Sequence, residues 1–308
     1  MKTKIFILAL VIIASSCQLE IQPFEGVSND NLSSIPDALQ SATNGTYALM
    51  KDHLDYRGQD DFRSQYIRNL HMMLEYAGDN VTLSGTTTDP LFLCATREHY
   101  AAMENSTYVW YIAYKIIATA NQNIAATDEA DATTKYLLGE NYFMRAVAYF
   151  DLLKVFARPY SHGTGNEGLP LRLEPGSPNQ FARATVGETY AQVETDLLKA
   201  AELMETGNSR GVEYGSKEAA WALLSRLYLY MEDNDKAIEY STKVISSTRF
   251  ALQPTDNYAD LFHNTATSKE SIFIVKSLLQ DDRGSGSIGS MYLTDGIGWG
   301  EVYTSQPL

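Results

Sequence analysis

Apolar side chains recur at steps of three and four residues along most of this chain. Residues at that spacing share one face of an α-helix, which can then pack against a core. Trp110, Ala113 and Ile117 are one such set. The stripes predict helices at 35–54, 108–126, 135–156 and 185–204, a helix that Ser216 can cap, and a last helix after the turn at 233–235.

The last two predicted helices are expected to pair as an antiparallel hairpin. Alanines at positions 219, 220, 222 and 237 would let the two backbones approach closely, as in tetratricopeptide repeats. A strict repeat period is absent. We therefore predict a mainly α fold of irregular tetratricopeptide-like helix pairs in a superhelical arrangement, with long loops and few short strands.

Local features add detail to this prediction. Thr185 and Glu188 have the spacing of a capping box at a helix start. The segment 157–184 has no periodicity and is rich in proline and glycine, so we expect a loop that packs across a surface. The apolar run 271–279 suggests a short strand. Arg145 lies on an otherwise apolar helix, and we expect it to form an ion pair with a neighbouring helix.

The first residues have the features of a targeting signal. Two lysines precede a run of ten apolar residues, which is too short to span a membrane but long enough for a signal-peptide core. Small residues then precede Cys17 in the manner of a bacterial lipobox. This predicts a signal peptide at 1–16, lipidation of Cys17 and a mature chain of 17–308. An ordinary secretory signal cut near Ser16 is the alternative.

The amino-acid composition excludes several classes of protein. The 308 residues are 44% hydrophobic, which excludes wholesale disorder. Lys and Arg total 24 against 38 Asp and Glu, giving a net charge of −14 with no basic cluster. Nucleic acid is therefore not expected as a partner. The two cysteines exclude a disulfide-rich scaffold, and Cys94 is expected to be a buried thiol.

Catalytic and metal-binding motifs are weak or missing in the sequence. Positions 284–289 fit G-x-G-x-x-G, but the residues that follow carry no helical stripe, so a flexible loop is expected. The five histidines do not cluster, and no cofactor or metal site is predicted. A carboxylate pair for glycoside hydrolysis stays open, because 38 acidic residues offer too many choices.

A set of short segments occurs in order along nearly the whole chain. The segments are 17–23 (CQLEIQP), 44–47 (NGTY), 76–80 (YAGDN), 110–124, 139–146 (GENYFMRA), 168–171 (GLPL), 183–186 (RATV), 219–226 (AAWALLSR), 270–273 (ESIF) and 298–300 (GWG). Each segment alone is a weak signal. Their order and spacing together resemble the SusD/RagB family of outer-membrane nutrient-binding lipoproteins of Bacteroidetes.

The resemblance implies a lipoprotein anchored in the outer membrane and facing the exterior. It would capture oligosaccharides or polysaccharides and deliver them to a TonB-dependent, SusC-like barrel, binding glycans without cleaving them. A binder of peptides or other nutrients and a glycoside hydrolase remain the alternatives. Family members usually continue well beyond the G-W-G segment, so the chain resembles the N-terminal portion of a longer protein.

Two segments offer the side chains that a glycan site needs. Sugars stack on aromatic rings and hydrogen-bond to nearby polar groups, and loops can display both. Trp299 is the strongest candidate because its flanking glycines leave the ring accessible, although it could instead pack into the core. Trp110 and Trp221 are expected in the core. The candidate ligand-binding residues are Asp79, Asn80, Arg97 and Tyr100 in loop 79–100, and Tyr292, Trp299 and Tyr303 in loop 284–303.

Overall fold

The computed structural model describes residues 37–51, 64–85, 90–177, 182–205, 210–263, 268–281, 284–294 and 298–305. The proposed signal peptide and Cys17 lie outside these residues. The helices and strands are α1 (Ala38–Lys51), α2 (Tyr66–Tyr76), β1 (Val81–Leu83), α3 (Phe92–Ala95), α4 (Glu104–Ala126), α5 (Lys135–Phe156), α6 (Val186–Leu203), α7 (Lys217–Tyr230), α8 (Asn234–Ser246), α9 (Asp260–His263), α10 (Ile288–Tyr292) and β2 (Val302–Thr304).

Helices α5, α6, α7 and α8 begin at or next to their predicted starts, whereas α4 begins at Glu104, four residues before its predicted start, and α2 was not predicted. At the start of α6, the Thr185 side chain accepts a hydrogen bond from the Glu188 amide, and the Glu188 carboxylate accepts one from the Thr185 amide. The Ser216 side chain accepts a hydrogen bond from the Ala219 amide at the start of α7, and the Asp233 side chain accepts one from the Lys236 amide at the start of α8. These side chains satisfy amide groups that have no partner within the helix.

Helices α4, α5, α6 and α7 pack in sequence order and share one apolar core, which fits the predicted mainly helical fold. Helix α5 contributes large, fully buried rings such as Phe143, Tyr149 and Phe150. Cys94 is buried against the same core, as predicted. Among the described residues, no helix is long and apolar enough to cross a membrane.

Arg145 forms the ion pair that the sequence suggests. Its guanidinium donates two hydrogen bonds to the Asp196 carboxylate on α6, at 2.8 and 2.7 Å. A third donor reaches the Asn121 side chain on α4 at 2.7 Å. The contact therefore joins three consecutive helices through one buried charge.

The segment after α5 packs across the helices. The Tyr149 hydroxyl accepts a hydrogen bond from the Arg172 amide at 2.6 Å, and the Asn121 side chain donates to the Arg172 carbonyl at 3.0 Å. Arg145 donates to the Leu173 carbonyl. The loop prediction for this region is confirmed in its described parts, 157–177 and 182–184.

Helices α7 and α8 form the predicted antiparallel hairpin. Ala219 and Ala220 are buried, and the Ser225 hydroxyl donates to the Ala237 carbonyl across the pair at 2.8 Å. The short side chains allow this close approach. On the outer face, Ile238 and Ile245 of α8 are exposed.

The predicted strand at 271–279 is wrong. The segment is irregular and ends in a 3₁₀ turn at Leu279–Asp281, although Ile272, Phe273 and Val275 do pack against the core. An apolar run predicts that a segment is buried, but it does not show whether a partner strand is available. It therefore cannot predict a β-ladder by itself. The strands that do form, β1 and β2, are three residues each.

Candidate ligand-binding site

Strands β1 and β2 join two segments that lie about 220 residues apart along the chain. They pair antiparallel, with Val81 opposite Thr304, Thr82 opposite Tyr303, and Leu83 opposite Val302. This ladder brings the start of the predicted site segment 79–100 beside the end of the segment 284–303.

The ladder has one face toward the core and one toward solvent. Val302 is buried, and Val81 and Leu83 pack against the core beside it. Thr82 and Tyr303 are exposed and point to the opposite face, as alternation along a strand requires. Tyr303 is 47% exposed, and its hydroxyl donates to the Gly300 carbonyl. The phenol ring is therefore displayed with its hydroxyl anchored.

The predicted polar and aromatic residues flank the two ends of the ladder. Asp79 and Asn80 are exposed immediately before β1, and the Asn80 carbonyl accepts a hydrogen bond from the Ser305 amide at 2.9 Å. Trp299 precedes β2, where the Ser84 amide donates to the Glu301 carbonyl at 2.8 Å. Exposed polar residues therefore lie at one end of the ladder, and the half-buried Trp299 lies near the other end.

The backbone around Trp299 is held against helix α10. The Trp299 amide donates to the Ser290 carbonyl and the Gly300 amide donates to the Leu293 carbonyl, both at 2.8 Å. A Cβ at Gly298 would overlap the Ser290 carbonyl and lie 2.7 Å from the Leu293 Cβ. Gly298 therefore permits a close approach that a larger residue would block. Trp299 itself is half-buried and packs against the core.

A buried arginine lies beneath this region. The guanidinium carbon of Arg68, on α2, lies 5.8 Å from the centroid of the Trp299 ring. One of its nitrogens is 3.6 Å from the sulfur of Met291 on α10. The Arg68 side chain is fully buried. A cation at this distance from an indole is within the range of a cation–π interaction.

Tyr292, the last residue of α10, contacts His71 on α2. Its hydroxyl and Nε2 of His71 share a hydrogen bond of 3.2 Å. Burial raises the pKa of Tyr292, and the nearby charge of Glu75 raises it further. The phenol therefore stays protonated and keeps its capacity to donate a hydrogen bond. His71 and Arg68 were not singled out in the sequence, although an arginine within the apolar stretch of α2 is a signal of the kind that identified Arg145.

Arg97 and Tyr100 lie apart from this arrangement. Both are exposed, and no hydrogen bond, ion pair or ring contact among the described residues joins them to the ladder or to Trp299. The interpretation of 79–100 as one long loop is wrong, because β1 and the short helix α3 interrupt it. Likewise, loop 284–303 contains α10, a helix too short to leave an apolar stripe.

Two of the concavities in the described residues lie beside the long helices. The larger, of about 760 Å³, lies between α2, α5, α7 and the irregular segment 270–275, and apolar side chains dominate its wall. The smaller, of about 300 Å³, lies beside α1 and includes Tyr47 and Tyr214. Neither contains the predicted site residues. Within the described part of the chain, no group of His, Cys, Asp and Glu could hold a metal ion.

Comparison with known proteins identifies the family of this chain. Residues 43–229 match the SusD-like family, which is described as starch-binding and associating with the outer membrane. This chain belongs to the SusD-like family. The resemblance seen in the sequence is thereby confirmed.

Known relatives of this SusD-like chain are longer than it is. It is 26% identical to SusD-like protein P2 of Formosa agariphila over 88% of its own length and 52% of that protein. A SusD superfamily structure from Bacteroides thetaiotaomicron has a TM-score of 0.77 and 24% identity, over 88% of this chain and 60% of that one. Another, from Bacteroides vulgatus, has a TM-score of 0.74 and 24% identity, over 86% and 60%. These structures show the fold.

Proposed function

We propose that this protein is a glycan-binding lipoprotein of the outer membrane that captures oligosaccharide or polysaccharide and passes it to a TonB-dependent barrel. The family description, starch-binding and associated with the outer membrane, supports both the ligand class and the location. The ligand, the anchor and the barrel partner are all part of the proposal.

One observation carries the ligand class. The β1–β2 ladder gathers an indole, an exposed phenol and exposed polar side chains that the sequence separates widely. Aromatic faces stack on the C–H faces of sugars, and amides and carboxylates hydrogen-bond to their hydroxyls. Trp299 and Tyr303 would supply the stacking surfaces, and Asp79 and Asn80 the polar contacts. Tyr292, Arg97 and Tyr100 are further candidates.

Insoluble polysaccharides test this role and separate it from the alternatives. The purified chain is mixed with a panel of insoluble glycans that includes starch, and protein left in the supernatant is measured together with released reducing sugar. Depletion without sugar release is expected. Sugar release would instead indicate a glycoside hydrolase. If no glycan depletes the protein but an immobilised peptide mixture retains it, the result would favour a peptide binder.

Delivery to a barrel is tested in cells. If the lipidated chain docks on a TonB-dependent transporter, crosslinking of intact outer membranes should yield a complex of the two, which affinity purification and mass spectrometry would identify. The gene for that barrel is expected beside the gene for this chain. A lipoprotein that crosslinks to no barrel would contradict the delivery step but not glycan binding.

A further inference from the structure

The backbone contacts of the 298–300 segment do not by themselves orient the Trp299 ring. The hydrogen bonds to Ser290 and Leu293 fix the main chain, whereas the indole direction depends on two side-chain dihedral angles. A stacking platform works only if its ring is already oriented, because ordering a side chain on binding costs affinity. Something that contacts the ring must therefore supply the orientation.

Arg68 is in position to do this. Its guanidinium lies 5.8 Å from the centre of the indole, and one of its nitrogens approaches the sulfur of Met291 on α10. Helix α10 is also the element whose carbonyls hold the Trp299 backbone. Arg68 therefore contacts both the ring and the helix that supports the ring.

Buried polar contacts hold Arg68 itself. One guanidinium nitrogen lies 3.5 Å from the side-chain oxygen of Asn69, and that oxygen accepts a hydrogen bond of 2.7 Å from Asn105 on α4. The Asn69 amide group donates to the Gln65 carbonyl at 2.7 Å. Each of these residues is buried. The contacts form a continuous path from α4 through α2 to the indole.

We infer that Arg68 is a positioning residue for the proposed glycan site and holds the half-buried Trp299 ring in its orientation. This inference rests on the proposed function for its biological meaning, but the orientation of the ring can be measured without any glycan.

Fluorine NMR of the full chain labelled with 5-fluorotryptophan tests the inference. The three tryptophans give three resonances, and Trp299→Phe identifies the one from position 299. Arg68→Met removes the cation but keeps an apolar side chain of similar reach. Arg68→Lys keeps the charge and loses the flat guanidinium. Arg145→Met is the matched control, because it removes another buried arginine that contacts α6 and α4 instead of Trp299.

Arg68→Met should shift or broaden the Trp299 resonance, and Arg68→Lys should change it less. Arg145→Met should leave it in place while lowering the melting temperature. An unchanged Trp299 resonance in Arg68→Met, or an equal change in Arg145→Met, would overturn the inference. If Arg68→Met does not fold, Arg68→Lys decides, because an unchanged resonance in that variant also overturns it.

A second measurement separates this inference from the proposed function. Retention in native gels containing soluble starch should fall about tenfold in Arg68→Met and stay near wild type in Arg145→Met. Suppose that starch retains the wild type, and that Arg68→Met shows a shifted resonance but the same retention. This result would support the positioning role of Arg68 and contradict a role of Trp299 in binding. If starch does not retain the wild type, the NMR result alone tests the positioning role of Arg68.

Discussion

At the scale of single residues, Arg145 shows how much one buried charge can contribute. Its side chain is 6% exposed and its partner Asp196 is 1% exposed. Removing one member leaves the other charge buried without compensation. We expect Arg145→Ala to lower the free energy of unfolding by about 3–5 kcal/mol, measured by urea denaturation.

Arg226 provides the control for this prediction. It is also an arginine on a helix, but it is exposed. Arg226→Ala should change the free energy of unfolding by no more than about 0.5 kcal/mol, as is usual at the surface. Equal stability of the two variants would show that the Arg145 ion pair does not hold the helices together.

Gly298 tests the close packing beside Trp299. A methyl group there meets backbone atoms of α10, which cannot move as the end of a flexible side chain can. We expect Gly298→Ala to destabilise the fold by about 1–3 kcal/mol, the usual cost of overpacking. Gly289→Ala is the control, since a Cβ at Gly289 has open space. A melting temperature that falls equally in both variants would contradict the described packing.

At the scale of secondary-structure elements, the β1–β2 register can be tested by disulfide trapping. The hydrogen bonds from Ser305 to Asn80 and from Ser84 to Glu301 make the pair Val81 and Thr304 a non-hydrogen-bonded one. Side chains approach each other most closely in such pairs. The double variant Val81→Cys and Thr304→Cys should therefore oxidise to a disulfide, visible as faster migration in a non-reducing gel.

A diagonal pair provides the control for this ladder. Val81→Cys with Val302→Cys places the thiols two residues out of register, at about 7–8 Å between Cα atoms, which is too far for an unstrained disulfide. Cys94 is buried and should not interfere. If the diagonal pair oxidises as readily as the direct pair, the register described here is wrong.

The same elements show why some of the fold could be predicted and some could not. Thr185 and Ser216 mark helix starts through contacts three residues away, so the local sequence contains the whole signal. Strands β1 and β2 depend on a partner about 220 residues away, and three residues are too few to show alternation. For the site, the sequence indicated Trp299 and Tyr303, but only the fold reveals that Arg68 lies beneath the indole.

At the scale of the whole molecule, the anchor determines where binding takes place. Two or more acyl chains on Cys17 would give stable membrane attachment, whereas one chain is marginal. We expect Cys17→Ala to move the protein from the membrane pellet into the soluble periplasmic fraction, detected by immunoblotting. Cys94→Ala should stay in the membrane, because Cys94 is buried in the fold. Membrane retention of Cys17→Ala would contradict lipidation at this residue.

The chain has the fold of its structural relatives but is shorter than they are. The chain spans about half of its Formosa relative and 60% of its Bacteroides structural relatives. The ladder and the Trp299 segment nevertheless lie within the described residues. Glycan binding by this chain can therefore be tested directly on its own residues.

The surface beside the β1–β2 ladder is proposed to bind glycan through Trp299. The most direct measurement is the dissociation constant for a glycan that depletes the wild type, compared between wild type, Trp299→Ala and Trp221→Ala. Trp221 is also half-buried but lies on α7. Trp299→Ala should weaken binding by about 1–3 kcal/mol, or roughly 5- to 150-fold, with an unchanged circular dichroism spectrum. Trp221→Ala should bind like the wild type if it stays folded. Wild-type affinity in a folded Trp299→Ala variant would show that Trp299 does not take part in glycan binding.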